Sequence, residues 1–558
     1  MLDIQPQYLT LSKLLDGRLF IIPDYQRAYS WTSHQRKDLF NDIERVYSKG
    51  PNSSHFMAAV VCRRKKKLSI ETDEFYQLDI VDGQQRITTL IILLNAIRLA
   101  LDTRKQTEKN LHRELSELLV KGDGAKLLLL QTNHDTSHHF SDYLRNGNAE
   151  DSAAVTTLAD RELLEAIEEC EEFVESWQES KRRLISLVAL LKNRLSFLLH
   201  EIKDEKAVYT VFEVLNSRGL EVSWLDRLKS ILMGAAFELK QTDRRGLIKE
   251  LHTIWRDIYS VIGLRQGLST EALRFAATLL VKDVPSRPLG EQDSVEVFRR
   301  HTDTAKQILT VAKWLLDVTR ACDKVNSNRR IGAVTRISQA RLLATSLYLH
   351  KRLKATERDQ LLARWEKVSF RIYGMLKYDA RSGVGDYVRL AWRVVNEQSS
   401  LTDIDEGIRE IGVYYPIETA IDSLRGVNFY EGREDELRYF MFRYEEYLAQ
   451  QQSLNYRNEQ WNKIWLQSPA QSIEHIWPQS NAPEDIRHTI GNLLLLPPRL
   501  NSTLQDRQPK EKAEAYRKTG LLIAEEVAEL LEESRWTKKA VRNREKDLLE
   551  WAAREWAD

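Results

Sequence analysis

The chain has 558 residues, of which 42% are hydrophobic, and its 83 Lys and Arg residues balance its 82 Asp and Glu residues to a formal charge of +1. This length exceeds what one hydrophobic core usually serves, so two to four domains are expected. The near-zero charge excludes capture of a polyanion by the field of the whole molecule, and nucleic acid would have to be met by a local basic patch.

Three cysteines, Cys62, Cys170 and Cys322, lie far apart and form no CxxC pair, which argues against a disulfide framework or a zinc ribbon. No apolar run approaches the roughly 20 residues needed to span a bilayer. The first residues also lack the basic segment and apolar stretch of a secretion signal. We therefore expect a soluble, cytoplasmic protein with no membrane partner.

Near the N-terminus, residues 20 to 31 place a short apolar strand before Pro23 and then a cluster of aromatic and polar side chains. This cluster is a candidate binding surface. Ser33 is predicted to cap a helix from about His34 to Tyr47. Two strands are then predicted, over 56–62 and 75–81.

Between these strands lies a basic run, residues 63–67. It is either a solvated hairpin tip or a contact to a phosphate backbone.

The second strand leads directly into Asp82-Gly83-Gln84-Gln85-Arg86 and then into a helix. The unpaired N–H groups of the first helical turn and the positive end of the helix dipole favour an anion, and Arg86 adds a bidentate phosphate donor. No GxxxxGK[ST] motif occurs, which excludes a conventional P-loop.

The segment 211–219 ends in a glycine turn that contains Asn216 and Arg218, and Ser223 with Asp226 predicts the capped start of a helix reaching about Leu239. Residues 240–400 have a helical pattern without a catalytic signature. We interpret their tryptophans as core residues rather than platforms for stacked bases, among them Trp255, Trp314 and Trp365. Another amphipathic helix is predicted over 434–450.

The stretch from 472 to 506 has the composition of a one-metal nuclease site. Glu474 and His475 follow a short apolar run, and Asn492 and Asn501 lie downstream. Histidine suits a general base, whereas Glu and Asn oxygens suit Mg²⁺ or Mn²⁺. Neighbouring strand residues point to opposite faces, so Glu474 and His475 need a strand end or a bend to serve one site. His488 is either a phosphate ligand or an ordinary loop residue.

The run Glu-His-Ile-x-Pro-Gln-Ser, with Asn492 and Asn501 after it, resembles the HNH (ββα-metal) nuclease motif. The resemblance implies that His475 is the general base, that Glu474 and Asn501 bind the metal, and that Asn492 orients the ring of His475. Glu474 stands where many HNH enzymes have Asp. A later helix that begins at Lys510 and Lys512 is expected to supply the α of ββα and to contact phosphate.

Together with this motif, the cluster around residue 25, the Asp-Gly-Gln-Gln-Arg loop and Phe-Glu-x-Leu-Asn-x-Arg-Gly resemble the GmrSD-type modification-dependent (type IV) restriction enzymes. That resemblance implies a nucleotide-binding and hydrolysing N-terminal domain of ParB/sulfiredoxin-like fold. Asp82 and Arg86 would then be catalytic, and the nucleotide-binding residues would be Tyr25, Gln26, Arg27, Asp82, Gly83, Gln84, Gln85, Arg86, Asn216 and Arg218.

The predicted fold is a mostly helical α+β multidomain chain. It comprises a ParB-like α/β domain over 1–235, a helical spacer over 236–414 and an HNH core embedded in helices over 415–558. The expected function is restriction of modified phage DNA with Mg²⁺ (or Mn²⁺) and a nucleoside triphosphate as cofactors. Double-stranded DNA and nucleotide are the expected partners.

The competing hypothesis is a ParB-like DNA-binding regulatory NTPase whose HNH-like region is a non-catalytic scaffold. The identity of the DNA modification, the preferred nucleotide and the oligomeric state, including a homo-oligomer, stay open.

Overall fold

The computed structural model describes residues 6–23, 26, 28–70, 73–121, 127–132, 138–149, 155, 157–202, 223–263, 265–454, 459–466, 469–504, 506–533 and 535–558. The chain divides into two compact units. The first comprises Met1–Ala277 and Gly290–Arg320, and the second comprises Thr278–Leu289 and Ala321–Asp558.

A six-stranded mixed sheet organises the first unit. Its order is β1-β8-β3-β4-β2-β7, and a separate small ladder pairs β5 with β6. The strands are β1 (Pro6–Thr10), β2 (Arg18–Ile22), β3 (His55–Ile70), β4 (Asp73–Asp82), β5 (Val120–Lys121), β6 (Leu127–Leu128), β7 (Leu130–Thr132) and β8 (Leu195–Ile202). β8 pairs antiparallel with β1 and parallel with β3. β3 pairs antiparallel with β4, and β2 pairs parallel with both β4 and β7. The predicted strand pair 56–62 and 75–81 is therefore present, and both strands are longer than predicted.

The basic run 63–67 is not a hairpin tip, because it continues β3 and pairs with β4. Its cations are engaged by acidic neighbours. Arg64 lies 2.5 Å from Glu201, and Lys65 lies 2.9 Å from the buried carboxylate of Asp79. Ladder pairing and ion pairs thus account for much of this basic run.

Within the described part of the chain, seven helices share a hydrophobic core with this sheet: α1 (Leu11–Leu15), α2 (Ser33–Ser48), α3 (Gln84–Ala100), α4 (Gln106–Leu119), α5 (His139–Asn146), α6 (Leu158–Glu179) and α7 (Leu184–Arg194). The chain continues through α8 (Trp224–Glu238), α9 (Gln241–Ile262), α10 (Gln266–Leu280), α11 (Glu291–Arg299) and α12 (Ala305–Ser327). Helix α3 is buried on nearly every face, as expected for a helix that is apolar all round. The cap of α2 is Thr32 rather than the predicted Ser33, because Thr32 and Gln35 form the capping box one residue earlier. Ser223 caps α8 as predicted, accepting from the N–H of Asp226.

The second unit is mostly helical. Its helices are α13 (Arg329–Val334), α14 (Ser338–Leu349), α15 (Ala355–Ser369), α16 (Val384–Asn396), α17 (Leu401–Val413), α18 (Ile417–Asp422), α19 (Glu434–Gln451), α20 (Glu459–Leu466), α21 (Pro469–Ser472), α22 (Glu484–Arg487), α23 (Pro498–Leu504), α24 (Pro509–Arg517), α25 (Leu522–Glu533) and α26 (Lys538–Glu555). A π-helical turn, Phe370–Met375, follows α15, and a 3₁₀ turn, Ile490–Asn492, precedes β10 (Leu493–Leu495). β10 pairs antiparallel with β9 (Ile473–His475).

The predicted fold class is confirmed at the level of a mostly helical α+β protein with a mixed sheet. The helical pattern of 240–400 is also confirmed, and its tryptophans belong to the core. Trp255 and Trp365 are fully buried, and the indole of Trp314 donates to the carbonyl of Ala276 at 2.9 Å. Within the described ranges, no helix is long and apolar enough to cross a membrane. The division at 235 and 414 stays a prediction.

Candidate functional sites

The C-terminal motif forms a short hairpin. His475 is the last residue of β9 and faces Leu493 across the ladder, and Glu474 faces Leu494. The two neighbouring side chains point to opposite faces, as alternation on a strand requires. His475 meets the segment that precedes β10, whereas Glu474 meets helix α24. The strand therefore ends at His475, but it carries the two side chains into different environments rather than onto one face.

The imidazole of His475 lies in a cluster of three rings. Its Nε2 is 3.0 Å from Nδ1 of His488. Tyr430 stacks on His488 with ring centroids 5.2 Å apart, and it meets His475 edge-on at 4.8 Å. Burial, with His488, Lys512 and Arg487 adding to it, lowers the pKa of His475 to about 4. The ring is neutral at pH 7, which is the state that a general base needs.

Glu474 lies in a buried polar group on the other face. Its Oε1 accepts from Lys512 Nζ at 2.7 Å and from the hydroxyl of Tyr516 at 2.9 Å. Lys512 also donates to the carbonyl of His475 at 2.8 Å. Burial raises the pKa of Glu474, and Lys512 opposes that shift. The predicted phosphate contact of Lys512 is wrong, because its ammonium is enclosed beside Glu474, whereas Lys510 is exposed.

Asn492 is predicted to orient the ring of His475, but its side chain bonds to backbone groups instead. Its Oδ1 accepts from the N–H of Trp477, and its Nδ2 donates to the carbonyls of Trp477 and Arg487. The side chain therefore ties together the two loop segments that flank the hairpin. The ring of His475 is instead hydrogen-bonded to His488.

Asn501 lies on α23, a helix between β10 and the later helix predicted to supply the α of ββα. Its Nδ2 donates to the carbonyls of Gln471 and Ile473, both at 3.0 Å. This contact fixes the helix against the start of β9 and leaves the amide oxygen as the atom suited to a hard cation.

Glu474 and Asn501 match a magnesium ion by donor type alone, because the contacts described for them do not bring their oxygen atoms to one point. Mg²⁺ needs only one or two protein oxygen ligands when water and phosphate complete its shell. Glu474 and Asn501 supply one carboxylate and one amide oxygen, although Lys512 and Tyr516 already engage Oε1 of Glu474. Among the described residues, no cluster of three His, Cys, Asp or Glu side chains is arranged for a metal.

The C-terminal helix α26, for which the sequence indicates no function, supports this hairpin. Arg544 is buried, and its Nη1 donates to the carbonyls of Ile490, Gly491 and Leu493 at 2.9 to 3.1 Å. Gly491 allows this approach, because a Cβ there would lie 2.2 Å from the carbonyl oxygen of Val541. An arginine in a charged helix is usually predicted to face solvent, so no local sequence pattern indicates the contact of Arg544 with these carbonyls.

The N-terminal motif forms the predicted strand, glycine turn and helix. β4 ends at Asp82, Gly83 has a φ of 93°, and α3 begins at Gln84. A Cβ at Gly83 would also approach the carbonyl oxygen of Ala59 to 3.3 Å, so the turn requires glycine for two reasons.

The structure brings the segment around residue 26 onto this turn. Gln26 is buried and donates to the carbonyl of Val81 at 2.8 Å. The amide of Gln85 accepts from the N–H of Ser30 at 2.8 Å and donates to the carbonyl of Ala28 at 3.0 Å. Both glutamines thus hold backbone at the candidate nucleotide site. Gln84 is likewise buried in the first turn of α3.

Arg86 is half-buried, and its guanidinium lies 5.5 Å from the ring centroid of Trp31. Burial lowers its pKa, whereas Asp82 and Asp42 act in the opposite direction. Lys229 also borders this turn, although no motif in the sequence indicates it: this buried lysine donates to the carbonyl of Gln26 at 3.2 Å. The predictions for Tyr25, Arg27, Asn216 and Arg218 lie outside the described residues.

The mixed sheet with its glycine turn and the hairpin with its buried histidine pair define a protein with two candidate sites, one suited to an anion and one to base chemistry. The sequence matches the GmrSD restriction endonuclease N-terminal domain over residues 11–233 and the GmrSD restriction endonuclease C-terminal domain over residues 416–551. The two matches together cover more than half of the chain, which therefore belongs to the GmrSD restriction endonuclease family. No curated protein gave a sequence match. Family membership implies nuclease activity on DNA.

Proposed function

We propose that this chain is a metal-dependent HNH endonuclease that restricts modified phage DNA in the cytoplasm and is regulated by nucleotide at its N-terminal domain. The observation that carries the nuclease assignment is the imidazole of His475 at the end of β9, hydrogen-bonded to His488. It lies on a hairpin whose other strand leads into the helix of Asn501. A base, two hard oxygen donors and a ββα order are the parts that an HNH site requires.

In this proposal His475 accepts a proton from the attacking water. Its depressed pKa keeps the ring unprotonated at neutral pH, although a base of low pKa is a weaker proton acceptor than one near 7. Glu474 and Asn501 would hold Mg²⁺ or Mn²⁺, which when bound would stabilise negative charge on the scissile phosphate. Asn492 contributes by keeping the loops on both sides of the hairpin in register.

The proposed nucleotide site is the N-terminus of α3. Its first turn follows Gly83 directly, and the positive end of a 17-residue helix favours phosphate. Arg86 would add a guanidinium, and Asp82 would orient a water or a metal. Gln26 and Gln85 maintain the loop that borders this turn, so their role at the nucleotide is indirect.

Recognition of the modification is assigned to the N-terminal half. A site built to grip phosphate and metal has no evident means of inspecting a base. Exchange of residues 1–235 with those of a relative of different preference should carry the preference along. If the preference stays with residues 415–558, this division of labour is wrong.

The test uses the full-length chain with Mg²⁺, with and without each nucleoside triphosphate, on modified phage DNA and its unmodified counterpart. His475→Ala should lower cleavage by on the order of 10²- to 10⁴-fold, the usual effect of removing a general base, and should still hydrolyse nucleotide. Arg86→Ala should lose nucleotide hydrolysis but keep basal nicking. His34→Ala is the control, since that histidine is exposed.

Two results would contradict the proposal. Wild-type cleavage by a folded His475→Ala protein would favour the regulatory NTPase with a non-catalytic scaffold. Loss of both activities in each of the two folded variants would indicate one composite site rather than two.

A further inference from the structure

His488 is the closest polar partner of the proposed base, and its ring is restrained from several sides. Its backbone carbonyl accepts from the N–H of Phe429 at 2.9 Å. Tyr430, the next residue, stacks on the ring with an interplanar angle of 11°. Asn492 holds the carbonyl of the preceding residue, Arg487. The imidazole of His488 is thereby positioned to face His475.

The contact joins Nε2 of His475 to Nδ1 of His488 over 3.0 Å. Two imidazole nitrogens form a hydrogen bond only if one carries the proton and the other accepts it. If His488 donated, the proton of neutral His475 would sit on Nδ1, and neither nitrogen of His475 could take a proton from water. If His475 donates from Nε2, its Nδ1 has a free lone pair.

We propose that His488 is a positioning residue that accepts the Nε2 proton of His475 and so holds the base in the tautomer whose Nδ1 is free to receive a proton from water. This inference rests on the proposed nuclease function. When His475 takes up that proton, its Nε2–H continues to donate to His488, so the imidazolium keeps a hydrogen-bond acceptor. A neutral histidine thus does the orienting task that a carboxylate performs in other histidine-based sites.

The role predicts a specific kinetic pattern on plasmid DNA with Mg²⁺. His488→Phe keeps an aromatic ring for Tyr430 to stack on but removes the acceptor, and it should lower kcat by about 10- to 100-fold, as loss of an orienting partner typically does. KM should be unchanged, because His488 does not touch substrate in this proposal. His488→Asn places an amide oxygen near the position of Nδ1 and should restore most of kcat.

His34→Phe is the matched control. It makes the same substitution at an exposed histidine outside both candidate sites and should cleave like the wild type. Circular dichroism and the melting temperature report whether each variant is folded. If His488→Phe does not fold, His488→Ala replaces it in the comparison with His488→Asn.

Three outcomes would overturn the inference. Wild-type kcat in His488→Phe would show that the acceptor is unnecessary. An equal loss in His488→Phe and His488→Asn would show that some property other than the hydrogen bond matters. A raised KM at unchanged kcat would make His488 a phosphate ligand. Failure of the proposed nuclease function is distinguishable from these outcomes, because in that case His475→Ala would still cleave DNA.

Discussion

Lys512→Met tests whether the buried ion pair beneath the hairpin stabilises the candidate nuclease site. The side chains of Lys512 and Glu474 are only 1% and 5% exposed, and their charged atoms are 2.7 Å apart. Methionine has a similar length but no charge. The change leaves the Glu474 carboxylate buried with Tyr516 as its remaining described donor, and it removes the donor to the carbonyl of His475.

Removal of one partner of a buried pair typically costs about 3–5 kcal/mol. Each 1.36 kcal/mol changes the equilibrium constant for opening about tenfold. Protection of the hairpin amides from hydrogen exchange should therefore fall by roughly 10²- to 10⁴-fold. Exchange in peptides covering 473–476 and 490–496 is the appropriate assay, because a chain with two compact units has no single two-state melting transition.

Two further comparisons make this prediction specific. Lys510→Met, an exposed change on the same helix, should leave exchange unaltered. Adding Glu474→Gln to Lys512→Met should recover part of the loss, because no buried charge then remains unpaired. The loss should also shrink on acidification, since a carboxyl with a raised pKa is stabilised in its protonated form. Unchanged exchange in Lys512→Met, or an equal loss in the double variant, would refute the assignment.

Three other predictions concern the backbone, the N-terminal site and pH. Gly491→Ala would drive a Cβ against the carbonyl of Val541 and should destabilise the C-terminal unit by about 1–3 kcal/mol. Gly246→Ala, in an open helical position, should stabilise its helix by up to about 1 kcal/mol. Hydrogen exchange in the peptides that cover each position decides both. Gln85→Leu removes the two hydrogen bonds from this side chain to the backbone of Ala28 and Ser30 and should destabilise the loop by about 1–3 kcal/mol. Nucleotide binding should therefore weaken, which titration calorimetry measures. The pKa of His475 is depressed to about 4 in the folded protein. The neutral imidazole should therefore contribute its full stability above pH 6.5, and that stability should be lost as the pH falls towards 4. Hydrogen exchange of the hairpin amides should show that the free energy of opening falls by up to roughly 3 kcal/mol between pH 6.5 and pH 4. This pH dependence should be absent in His475→Gln.

Prediction from sequence succeeded where the signal is local. The end of β4 at Asp82, the turn at Gly83 and the cap of α8 at Ser223 each depend on residues within one or two turns of each other. Glu474, His475 and Asn492 do lie on or directly beside one hairpin, whereas their roles stay a prediction.

Sequence alone could not assign the partners of those residues. Tyr430 lies 45 positions before His475, and Lys512 lies 38 positions after Glu474, so neither belongs to a contiguous motif. A lysine in a charged helix is typical of a solvated face, and only tertiary packing encloses Lys512 beside a carboxylate. The hairpin-tip interpretation of 63–67 is wrong for a related reason, because the length of a strand depends on its partner strand and not only on its own composition.

The amino-acid sequence by itself therefore determined the elements, the family resemblance and the identity of the candidate base, because these depend on short-range backbone preferences and on motif spacing. The tertiary structure decided which groups surround that base. Adjacent strand residues point to opposite faces, so His475 and Glu474 enter two different environments. The elements that form those environments come from distant parts of the chain, and burial against them sets the pKa of each group.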